Sequence, residues 1–116
     1  MGELLEGYEA KRRQREAEIA ERHRKEDVVD HELHELARHL DADVEFMKQN
    51  GITYDVVNRT LRIAHQRSPV VSVHYGADDG SYVVLSMRDG VQVTVKAAEE
   101  CARTIGGTLF AVLAAK

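Results

Sequence analysis

Six apolar side chains, Val29, Leu33, Leu36, Leu40, Val44 and Met47, recur at steps of four, three, four, four and three residues. That spacing draws one continuous stripe along an α-helix, and no strand could hold all six on one face. A stripe of this length demands a partner surface, either a sheet that it covers or a second copy of the chain. Asp27 or Asp30 offers an N-cap, Asn50-Gly51 offers the stop, and Asp41-Ala42-Asp43 is a step at which the helix can break in two.

Upstream, residues 9–27 contain strong helix formers with Ile19 as the one large aliphatic side chain. Such a segment cannot pack deeply on anything. Its charges sit at helical spacing: Glu9 with Arg13, Glu18 with Arg22 and Glu21 with Lys25 run Glu-first, and Arg12 with Glu16 adds a reverse pair. Residues 1–27 therefore read as an exposed charged helix or arm, and residues 28–116 as a single α+β domain.

Beyond Gly51 the period changes to two. Leu61 and Ile63, then Val71, Val73 and Tyr75, then Val83, Leu85 and Met87, then Val91, Val93 and Val95 alternate with mostly polar neighbours. Turn chemistry separates them at Ser68-Pro69, at Ala77 to Gly80 and at Arg88-Asp89-Gly90, connections short enough to imply an antiparallel meander. Residues 97–105 read as a short amphipathic helix stopped by Gly106-Gly107, and residues 108–115 suit either a strand or a further helical turn.

Residues 52–65 admit two readings. As strands, Ile52 and Tyr54 lead into a turn at Asp55 to Asn58, and Arg59 to His65 return as the partner, completing five strands. As a helix, Thr53 is an N-cap and Val56, Val57, Thr60, Leu61 and Ala64 form a narrow stripe. In that second case Phe46 to Leu61 resembles a helix-turn-helix DNA-binding motif, with Gly51-Ile52 at the tight turn and Val57 at the buried position of the second helix. The resemblance implies that Thr53, Tyr54, Asn58, Arg59 and Arg62 face a major groove, where Arg and Asn read guanine and adenine edges. Asn50 and Thr60 stand where the motif usually has apolar residues, and Met47 where it has a small one, so the strand reading is preferred.

The net charge of −4 divides unevenly: residues 1–50 hold 9 Lys/Arg against 14 Asp/Glu, and residues 51–116 hold 7 against 6. A mildly acidic chain lacks the clustered cations from which non-specific nucleic-acid affinity comes, so nucleic acid is a partner that the charge disfavours without excluding a local basic face. The longest apolar run, Leu109 to Ala115, is far short of the ~20 residues that span a bilayer, and Glu3 and Glu6 stand where a signal peptide needs basic then apolar residues. With one cysteine, Cys101, no intrachain disulfide is possible. A cytoplasmic protein without membrane contact is the expectation.

His31, His34 and His39 gather near Glu35 on the helix but lack the His-Glu-x-x-His spacing of zinc proteases. They fall opposite the Leu33, Leu36 and Leu40 stripe, so they read first as solvated side chains and only second as a metal face. Cys101 reads as a structural thiol, and no P-loop, dinucleotide fingerprint or nucleophile elbow is present. No cofactor and no catalytic residue is expected.

The sequence thus leads to N-terminal helices, an antiparallel four- or five-stranded meander and a short C-terminal helix. The functional expectation is a small non-enzymatic protein-interaction or regulatory module that binds another macromolecule as a homo-oligomer, through the Val29 to Met47 seam or an open sheet edge. The alternatives are a DNA-binding regulator using residues 43–65 and a metal-binding protein using the histidine face.

Overall fold

The computed structural model describes residues 2–114. The N-terminal helix α1 runs unbroken from Glu3 to Asp41, so Asp27 and Asp30 are interior helical residues and not caps. Nothing between them lowers helix propensity enough to stop a helix that is already nucleated on both sides. A turn at Ala42-Asp43 follows, then the short helix α2, Val44–Gln49. Gly51, at φ 67°, reverses the chain in the left-handed region that glycine adopts without penalty.

Five strands then form one sheet in chain order: β1 Ile52–Val57, β2 Thr60–His65, β3 Ser68–Gly76, β4 Ser81–Ser86 and β5 Gln92–Val95. Every neighbour is antiparallel. The register shifts between Ile63 and Ala64 opposite β3, and this bulge accommodates Pro69, which lacks the amide a regular central strand must donate.

Residues 52–65 are therefore a hairpin, and the second helix of a helix-turn-helix is absent. β1 and β2 meet through the two residues Asn58 and Arg59, with φ of 52° and 57°, the backbone of a type I′ turn. The strands win because the hairpin buries Ile52, Leu61 and Ile63 together on the covered face, whereas a helix would split them.

Val71 and Val73 from β3 and Tyr82 and Val84 from β4 share that face. Leu33, Leu36 and Leu40 of α1 pack over it beside Cys101, Ile105 and Leu109 of the last helix, α3, Ala98–Ala114. Gly106-Gly107 does not stop α3, because the apolar residues beyond it keep the same packed side facing the core and outweigh the two weak helix formers. Residues 108–114 are helical; Ala115 lies outside the described residues.

The Val29 to Met47 seam covers the sheet. Leu33 and Leu36 are wholly buried, Leu40 and Met47 nearly so, and Val29 packs at the rim; Val44 stands 39% exposed beyond the break in the helix. Leu33, Leu36, Leu40 and Met47 thus pack on the sheet of their own chain, and Val44 alone of the six stays exposed.

Candidate functional site

The two-layer arrangement leaves three surfaces uncovered: the outer face of the sheet, the first 22 residues of α1, and the margin where β5 and α3 diverge. The outer face is polar along its middle. Arg62 Nη2 donates to Asp55 Oδ2 at 3.2 Å, and the His74 ring lies 3.3 Å from Thr60 Oγ1 and 3.4 Å from Ser72 Oγ. The first two are cross-strand pairs of a solvated sheet, and the third joins neighbours along β3.

The β5 margin is different. Val93 lies opposite Val84 on the covered face of the sheet, yet Val93 is 40% exposed while Val84 is 1% exposed. The reason is geometric: α3 packs on β3, β4 and the end of β5 where Val95 is half-buried, and diverges from β5 towards Val93 and Val91. Between them runs a groove of about 480 Å³, with Val91 and Val93 on one wall and Gly107, Ala111 and Val112 on the other.

Its lining is short of free donors. Thr104 Oγ1 donates to the Glu100 carbonyl at 2.9 Å and Thr108 Oγ1 to the Thr104 carbonyl at 3.1 Å, so both hydroxyls are spent within α3. Gly107 adds no side chain, and a Cβ built there would meet nothing within 4 Å. At one end Arg88 Nη1 donates to the Ala111 carbonyl at 2.9 Å, tying the β4–β5 turn to α3 and fixing the groove's width. Asp89 Oδ1 accepts from the Val91 amide at 3.0 Å and shapes that turn; this bond and the Ser86 hydroxyl hold the Asp89 carboxyl below its ordinary range.

β5 is also an open edge. Its four residues carry no proline and no charge, so its shortness is what guards it. The Ser86 amide donates to the Val91 carbonyl at 2.9 Å, which marks a hydrogen-bonded pair. Alternation along an antiparallel ladder then makes Val84 with Val93 another such pair and turns the backbone groups of Gln92 and Thr94 outward.

The residues singled out from sequence lie elsewhere. Tyr54 is half-buried and donates its hydroxyl to Asp41 Oδ1 at 2.6 Å, Arg59 pairs with Glu26 at 3.0 Å, and Arg62 is held by Asp55, so these three are divided among a core-side contact, a turn and the outer face. Asn58 forms the turn itself. No single surface presents all four to a duplex.

His31 and His34 are exposed and His39 is half-buried, with His34 Nδ1 at 2.7 Å from the Asp30 carbonyl. Among the described residues no three His, Cys, Asp or Glu side chains come together as metal ligands. Cys101 is fully buried, and burial pushes its thiol up to about 12. No described helix is long and apolar enough to cross a membrane. The sequence does not announce the groove, because Val91 and Val93 alternate with polar neighbours just as the buried strands do.

No family model matches the chain, and neither the curated proteins nor the solved structures compared with it hold a match.

Proposed function

We propose that this protein is a non-enzymatic interaction module that captures an extended apolar segment of a partner protein along β5. The single observation that carries this reading is the 40% exposure of Val93, an inward-facing core position left open beside a strand edge free of charge and proline. A segment pairing with β5 gains main-chain hydrogen bonds from the outward backbone groups of Gln92 and Thr94, and every second side chain enters the groove over Val93 and Gly107. Removing that apolar wall from water adds to the hydrogen bonds.

The test is selection from a displayed library of random peptides against the intact protein. Alternating apolar peptides should be enriched, and their binding should fall at least about tenfold on either Thr94→Pro, which deletes an outward amide, or Val93→Lys, which charges the groove. Enriched peptides indifferent to both substitutions, or no enrichment at all, would sink the reading.

A further inference from the structure

The first 22 residues of α1 project from the body with only Glu9 less than exposed, which makes the molecule 75 Å long against 26 and 25 Å across. An isolated helix of this length draws little stability from propensity alone, so the surface it presents matters. One face of it continues into a groove of about 620 Å³ at the arm's base, where Gln14, Glu18, Glu21 and Lys25 form the wall and Val29 and Arg59 the floor. The same face reaches the tip at Leu4, which is 89% exposed.

The residues of this face in order are Leu4, Gly7, Lys11, Gln14, Glu18, Glu21, Lys25 and Val28, at alternating steps of three and four. This is the spacing of a seam between paired helices. Reversed and laid against itself about residue 16, the order sets Leu4 against Val28, Lys11 against Glu21 and Gln14 against Glu18, while Gly7 leaves room for the stem of Lys25. A parallel alignment sets Lys11 on Lys11 and Glu21 on Glu21.

We infer that the α1 arm pairs antiparallel with the arm of a second copy of this chain, the Leu4 tip of each seating at the base of the other. The contact is isologous and closes as a dimer. Lys25 is compatible with it, because its amine already reaches Asp78 Oδ1 at 2.9 Å and its stem remains to pack over Gly7 of the other copy. The two opposed macrodipoles add to the attraction. Because the seam is charged, the association weakens as salt rises.

Charge-reversal exchange tests it on the full chain by light scattering after size exclusion. The unaltered protein is expected to be a dimer at high micromolar concentration and low ionic strength. Lys11→Glu alone and Glu21→Lys alone each set like charges against each other twice and should weaken the dimer at least about tenfold. The two single variants mixed, and the double variant by itself, should each restore it. Neither position contacts the core, so circular dichroism should read the same helix content in all of them; the restorations also exclude loss of folding. A wild-type monomer, or a Lys11→Glu dimer as tight as wild type, overturns the inference. So does failure of the double variant to recover. Thr94→Pro should leave the dimer intact, so this result stands or falls apart from the β5 reading.

Discussion

The Tyr82 hydroxyl donates to Glu32 Oε2 at 2.7 Å and lies 3.1 Å from the Glu32 backbone carbonyl, joining the start of β4 to α1 across 50 residues of sequence. Tyr82 is wholly buried, and its ring packs edge-on to Tyr75 with centroids 4.8 Å apart. One phenol thus ties α1 at Glu32 to the start of β4. Tyr82→Phe keeps the ring and removes the bond, and should cost about 1–2 kcal/mol in denaturant unfolding. An unchanged midpoint would show that the bond holds no stability.

The tyrosines also set how the fold meets alkali. Burial and Glu32 push Tyr82 up, burial pushes Tyr75 up, and the bond to Asp41 pushes Tyr54 up to about 12 from an ordinary value of 10.0. The folded state then keeps protons that the unfolded chain releases from pH 10 upward. Their contribution is therefore complete below about pH 10 and is lost progressively as pH rises above it, that of Tyr54 by about pH 12. Absorbance titration of phenolate should show these three ionising late, together with unfolding, and Tyr82→Phe should flatten the fall in stability over that window.

Two hairpin turns carry strain that glycine would relieve. Asn58 and Arg59 connect β1 to β2, and Gln66 and Arg67, with φ of 51° and 72°, connect β2 to β3. Left-handed backbone costs a side chain such as arginine roughly 1 kcal/mol. Arg67→Gly should raise stability by about that amount, since no ion pair of Arg67 is present among the described residues. Arg59→Gly should gain less, because it gives up the 3.0 Å contact with Glu26 that steadies the base of the arm. Thermal melts of the two variants check the order.

These turns explain much of what the sequence conceals. Period-two alternation identifies the strands from Leu61 onward because each buries one face, and the Leu33, Leu36, Leu40 stripe identifies the covering helix. Residues 52–65 stay ambiguous because Asn58-Arg59 lacks the glycine that usually announces a type I′ turn, while Val56, Val57, Leu61 and Ala64 also suit a helix. The unbroken passage of α1 through Asp27 and Asp30 is hidden because a good N-cap residue is also a tolerated helical one. The β5 groove depends on where α3 lies over the sheet, a tertiary fact that no local pattern encodes.

The core seam separates into strong and weak members. Leu36 has no exposed surface, so Leu36→Ala leaves a cavity between α1 and the sheet and should cost about 3 kcal/mol. Val44 is 39% exposed, and Val44→Ala should cost well under 1 kcal/mol. Equal losses at both positions would mean that Val44 packs against something in solution that the isolated chain does not provide.

Gly106 and Gly107 test stability and binding separately. Both are inside α3, and a Cβ at either would meet nothing within 4 Å. Each substitution to alanine should therefore stabilise the helix by about 1 kcal/mol. Gly106 does not line the β5 groove and Gly107 does. Gly106→Ala should raise the melting temperature and leave peptide capture unchanged, whereas Gly107→Ala should raise it equally and weaken capture, because the added methyl fills space beside Val93 that a bound side chain needs. Equal capture by both variants would place the partner elsewhere, and a loss of stability in either would mean that the helix needs its glycines for a close approach that the isolated chain does not make.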